Sequence, residues 1–136
     1  MVTAASYGIR TTVSTSYQET LPKVSAALKE AGFGVLTEID VAATLKAKID
    51  VDFTRYKILG ACNPKLAYAT LQEELEIGLL LPCNVIVYED PQTGQTVVSA
   101  VDPERMLSIV DNADLAVRAG EVKALLQKAI DALAAG

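Results

Sequence analysis

Residues 55–88 read RYKILGACNPKLAYATLQEELEIGLLLPCNVIVY, and the fold is read outward from this stretch. Tyr56 to Cys62 has the β-branched and apolar content of a strand. Asn63 is then placed as a helix cap with Pro64 at the first helical position, where a missing backbone donor costs least. The helix is expected to run to about Leu75, with Leu66, Thr70 and Leu71 inward. Glu76-Ile77-Gly78 turns the chain, and Asn84 to Tyr88 is the next strand. Both cysteines of the molecule lie here, each followed by asparagine and flanked by proline, as Ala61-Cys62-Asn63-Pro64 and Pro82-Cys83-Asn84.

Upstream, residues 7–15 form an alternating strand with Ile9, Thr11 and Val13 on one face. Ser16 with Glu19 has the spacing of a capping box, and Leu21, Val24, Leu28 and Ala31 form a helical stripe. Pro22 leaves two starts open: a kinked helix from Ser16, or a later one capped by Thr20. Gly32 ends that helix. Phe33 to Ile39 is a second strand, with Phe33, Val35, Thr37 and Ile39 expected on one face. Asp40 caps a short helix over residues 41–48, whose Lys46 and Lys48 suit its C-terminal end, and residues 50–53 form a loop.

Downstream, a turn at residues 90–94 joins the fourth strand to a fifth, Gln95 to Val101. Asp102-Pro103 opens a short helix to about Val110. Asp114 is expected to cap the closing helix, whose apolar face is Val122, Leu125, Leu126, Ala129, Ile130 and Leu133, with Gly120 a weak position. The order of elements predicts an α+β fold: an antiparallel five-stranded sheet with helices packed largely on one face. A ferredoxin-like sandwich on the first strand–helix–strand unit is the alternative. The 136 residues suit a single domain, 1–136.

Composition excludes more than it includes. The chain is 51% hydrophobic and 21% charged, a globular balance. A net charge of −5 with no basic stripe argues against a nucleic-acid partner. The longest strongly apolar run, Ile77 to Leu81, is far short of the about 20 residues that span a bilayer, so no membrane partner is expected. Residues 1–14 show no basic-then-apolar leader, and with two cysteines a reducing cytoplasm is the expected compartment. There is no histidine, which removes Ser-His-Asp and Cys-His catalysis and histidine-ligated metals. No Walker loop, G-x-G-x-x-G or G-x-S-x-G occurs. Two thiols do not close a four-thiolate metal site in one chain, and no resident metal or named cofactor is assigned.

The cysteine stretch is the candidate site, with Cys62, Asn63, Cys83 and Asn84 as its ligand-binding residues; no catalytic residue is assigned. Cys62 precedes a helix N-terminus, where unpaired N–H groups and the helix dipole favour a thiolate or a bound anion. Pro82 suggests that Cys83 opens an edge or bulged strand. If the third and fourth strands are antiparallel neighbours, the two thiols are brought together. The plain alternative is that both cysteines are buried apolar filler. By the same measure Tyr56, Tyr68 and Tyr88 are core-edge aromatics, and Glu73, Glu74 and Glu76 a solvated acidic run.

Three blocks then carry a resemblance: residues 32–41 (GFGVLTEIDV), 56–64 (YKILGACNP) and 78–85 (GLLLPCNV). Together they resemble the signature of the bacterial and archaeal domain-of-unknown-function 302 family, from about Tyr7 to Leu133. The resemblance implies a fold like that of the TATA-binding protein, with a β-α-β4-α core, and a homodimer. It implies no established activity and carries over no catalytic residues. Three functions stay open: a homodimeric module holding a small ligand, an anion, a sulfur species or a soft metal at a two-cysteine cleft; a thiol–disulfide or persulfide enzyme using Cys62 and Cys83; and a structural or partner-binding dimer, with Ile77 to Leu81 as an interface element.

Overall fold

The computed structural model describes residues 5–136. Residues 1–4 of the stretch read above for a leader lie outside the described residues. The strands are β1 (Gly8–Val13), β2 (Gly34–Asp40), β3 (Tyr56–Cys62), β4 (Cys83–Glu89) and β5 (Thr96–Val101). The α-helices are α1 (Tyr17–Glu30), α2 (Val41–Ile49), α3 (Pro64–Glu73), α4 (Pro103–Leu107) and α5 (Ala113–Ala134), with a 3-10 helix η1 (Leu75–Leu80). All strands join one antiparallel sheet in the order β1-β5-β4-β3-β2. The class is α+β, as the order of elements predicts.

One face of the sheet is the core. Ile9, Leu59, Ala61, Cys83, Val85, Val87, Val98 and Ala100 point into it. They meet Val24 and Leu28 of α1 and Leu126, Ala129 and Ile130 of α5. A second cluster, Ile77, Leu107, Leu115 and Ala119, fastens η1 and α4 to α5. Burying an aliphatic side chain of this size contributes about 1.5–3 kcal/mol. That burial explains why α1 starts at Ser16 despite Pro22 inside it, a placement that costs about 3 kcal/mol in an isolated helix. Ser16 Oγ accepts from the Glu19 N–H, and Tyr17 and Thr20 of the first turn are buried. A start at Thr20 would leave both outside the helix.

The end of α1 is a Schellman turn. Gly32 N–H donates to Lys29 O and Phe33 N–H to Leu28 O, with Gly32 at φ +96°. This aims Phe33 into the core. Val35 follows onto the same face, opposite Ala61. The register then slips: Val35 pairs with Ala61 but Thr37 with Gly60, leaving Leu36 as a bulge. The expectation that Phe33, Val35, Thr37 and Ile39 share a face is therefore corrected. The extra residue moves Thr37 and Ile39 to the other face, and Ile39 is half exposed.

Three further expectations change. β4 lies between β3 and β5, in the interior of the sheet and not at an edge. Pro82 precedes its first ladder residue, so no strand hydrogen bond is lost. Asn112, not Asp114, caps α5, its side chain accepting from the Asp114 N–H. Its amide also donates to Glu73 O, which ties the start of α5 to the end of α3. The turn expected at residues 76–78 is η1, wound so that Ile77 is 1% exposed while Leu75 and Leu79 stay in solvent.

Candidate functional site

The three sequence blocks meet at one end of the sheet. The Asn63 side chain accepts from the Leu66 N–H at 3.2 Å and caps α3 as expected. Its amide nitrogen also lies against Gly32, where an added Cβ would stand 3.1 Å away. Thr37, the first paired residue after the bulge, lies over Gly60, and Pro82 presses on the same spot: a Cβ on Gly60 would meet the Thr37 hydroxyl and come within 2.8 Å of Pro82 Cγ. Glycine is required at residue 60 by this close approach, and its own φ is unremarkable.

A cleft of about 330 Å³ opens beside this knot. Cys62, Asn63 and Cys83 line it, with Phe33 and Thr37 from β2 and the turn before it. Leu66, Ala67, Thr70 and Leu71 of α3, Met106 and Leu107 of α4, and Arg118 and Val122 of α5 form its far side. The lining is almost all carbon. Among the described residues Arg118 is its one charged side chain, and that guanidinium is engaged by Glu73 at 3.0 Å and Glu121 at 3.5 Å. Hydrogen bonding and charge attraction from Glu73 hold the Arg118 pKa above its ordinary value.

The cysteines share this cleft without facing each other. Cys83 stands opposite Ala61, and Cys62 stands opposite Gly34. The antiparallel neighbours expected of β3 and β4 are present, but the register staggers the thiols by a residue. Both are free. Cys83 is buried, and burial, then the neighbouring Cys62, pushes its thiol up to about 11. At neutral pH it is a protonated, carbon-like wall. Cys62 is half-buried. Among the described residues no cluster of three or more Cys, Asp or Glu side chains is arranged to hold a metal ion.

Asn84 does not belong to this cleft. It follows Cys83 on β4, so the pleat turns it to the opposite face, where it is exposed and lines a separate trough. Of the four residues read from sequence, three come together and one does not. Arg118, Met106 and Thr70 were missed. Thr70 reads as an inward helix residue, Met106 falls in the short helix after Asp102 with no signal of its own, and Arg118 gave no local signal: it sits more than 30 residues from Cys83 and arrives only through the packing of α5. Nor is Glu73 part of a merely solvated run, since it holds Arg118 and is 20% exposed.

Among the described residues no helix is long and apolar enough to cross a membrane. No curated protein matches the chain. The crystal structure of an uncharacterized conserved DUF302 protein from Bacillus stearothermophilus is similar: 32% identity over 95% of this chain and 99% of that one, with a TM-score of 0.87. The family model for the domain of unknown function DUF302 matches residues 9–133. With the three sequence blocks converging on one knot, the family model spanning residues 9–133 and that structure matching at a TM-score of 0.87, the chain belongs to the DUF302 family.

Proposed function

We propose that the protein is a small-molecule binding module whose site is the cysteine cleft, and whose ligand is a compact, uncharged, mostly apolar molecule. One observation carries this: a 330 Å³ cleft lined almost wholly by carbon, whose single guanidinium is already engaged by two carboxylates. That size lies at the lower end of small-molecule sites, roughly 300–1,000 Å³. An apolar cleft gains from exchanging its water for carbon, while an anion would have to compete with Glu73 for Arg118. Cys62 and Cys83 act here as polarizable wall atoms. The raised Cys83 pKa and the stagger of the thiols weigh against the thiol–disulfide enzyme. The module works as a homodimer in a reducing compartment. Sedimentation equilibrium checks the first of these, and a strict monomer at 100 μM removes it.

The uncharged fluorophore N-phenyl-1-naphthylamine tests the site. Saturable fluorescence enhancement is expected, with 1-octanol displacing the dye. Ala67→Phe, at a half-buried lining position, fills the cleft and should weaken binding at least about tenfold, or 1.4 kcal/mol. Its thermal midpoint reports that the fold is kept. Absence of saturation, or undiminished binding in a folded Ala67→Phe protein, overturns the reading.

A further inference from the structure

The face of the sheet away from α1 and α5 is not built for water. An antiparallel sheet with one solvated face alternates apolar residues inward with polar residues outward. Leu59, Ala61, Val85, Val87, Val98 and Ala100 point into the core, so their neighbours along β3, β4 and β5 point out. None of those described neighbours is charged. Ile39, Ile58 and Ile86 pair in turn across β2, β3 and β4, and the row of isoleucines ends at Ser99 of β5. Ile39 is 49% exposed, and Ile58 and Ile86 are half-buried. The same face holds a trough of about 840 Å³ that Asn84 and Ile86 help to line. Phe53 and Tyr7 stand beside it, 51% and 65% exposed.

We infer that this face is the interface of the homodimer, covered by a second copy of the chain seated face to face; the inference rests on the homodimeric reading above. The area suffices. Five strands about 4.8 Å apart, each six or seven residues long, cover about 500 Å² in plan, before side-chain relief is counted. A specific interface needs about that much from each partner. The charge pattern agrees, since the centre of a protein interface is depleted of charged residues, and the three central strands present none. The shape is self-complementary. A two-fold interface requires hollow and knob on the same surface, and here the trough is the hollow while Tyr7 and Phe53 are the knobs. β4 is the middle strand of the sheet and Ile86 the middle residue of β4. A two-fold axis over the centre of the face therefore sets Ile86 against its own counterpart, with the exposed Asn84 close by.

Sedimentation equilibrium at about 100 μM tests the interface with Asn84→Arg, a change at a position that is exposed in the single chain. Wild type is expected as a dimer and Asn84→Arg as a monomer, its self-association weakened at least about a hundredfold by a cation set in an uncharged interface. An unchanged circular dichroism spectrum reports that the variant folds. Ile86→Cys supplies a reading that does not depend on that variant. With copper–phenanthroline and dioxygen as oxidant, its thiol should form a disulfide with its counterpart in the other copy. Wild type and Val117→Cys, exposed on α5, should form none. A dimer that survives in folded Asn84→Arg overturns this interface and leaves the homodimer standing. A dimer with no Ile86→Cys cross-link, or with one as strong through Val117→Cys, does the same. A strict wild-type monomer overturns both.

Discussion

At the scale of single residues, two positions tie local chemistry to the whole. Gly60 has open backbone geometry, and only its neighbours forbid a side chain. Gly60→Ala forces a methyl against Thr37 and Pro82, both anchored in backbone, and overpacking of this kind costs about 1–3 kcal/mol. Urea denaturation checks it, and the companion Gly60→Ala/Thr37→Ala should recover part of the loss because the nearer obstacle is gone. Cys83 gives the second prediction. Its folded pKa of about 11 lies above the ordinary thiol value of 9.0. Below about 9 the thiol is protonated in both states. As pH rises from there to about 11 the unfolded chain ionises first, so stability is lost over that window. The loss attributable to Cys83 is about 3 kcal/mol. Denaturant titrations at pH 8 and pH 11, compared between wild type and Cys83→Ala, should show wild type losing the more; a pH-independent difference between the two removes the prediction.

At the scale of elements, the caps were legible because they are local. Ser16, Asp40, Asn63 and Asp102 each sit directly before a helix and accept from its first-turn N–H groups. α5 is the exception that shows the limit. Asn112 and Asp114 are both good cap residues, and the choice between them is made by the Asn112 amide, which also reaches Glu73 O on α3. The same helix holds Gly120, where an added Cβ meets nothing nearer than Glu104 Oε2 at 3.9 Å. Gly120→Ala should therefore stabilise the protein by about 0.5–1 kcal/mol, since the helical backbone loses less entropy and nothing is displaced. A rise in the thermal midpoint checks it; a fall would mean that the helix end moves.

At the scale of the molecule, α4 and α5 are fastened to the sheet by a charge network at the end of β5. Asp102 caps α4 through the Glu104 and Arg105 N–H groups, and Lys123 of α5 bridges Asp102 and Glu104 at 3.0 Å each. Burial pushes the Asp102 carboxyl up, but the Lys123 hydrogen bond and the two backbone N–H groups outweigh it, and the net pKa is lowered. Its contribution is present above the ordinary carboxylate range, near about 3.9, and is lost as pH falls through its lower folded value. Asp102→Asn should cost roughly 1–3 kcal/mol at pH 7, the worth of charge-assisted hydrogen bonds. It should also flatten the acid limb of the stability profile. An acid limb of unchanged steepness in Asp102→Asn counts against the network.

The sequence by itself determined the strands and helices, most of their caps, the core faces of α1 and α5, and the stretch around which the cleft forms. Those features follow from periods of 2 and 3.6 residues and from the chemistry of groups a few positions apart. Tertiary structure decided what depends on register and on distant partners. A single bulged residue, Leu36, reversed the faces of Thr37 and Ile39. A one-residue stagger set Cys83 against Ala61 and left the thiols unopposed. The pleat sent Asn84 to the trough, while α5 brought Arg118 to the cleft. Side chains alternate with a period of 2, so which face a residue takes is fixed by which strand it pairs with and where. That pairing is paid for by contacts across the whole sheet and leaves no trace in the residues beside it.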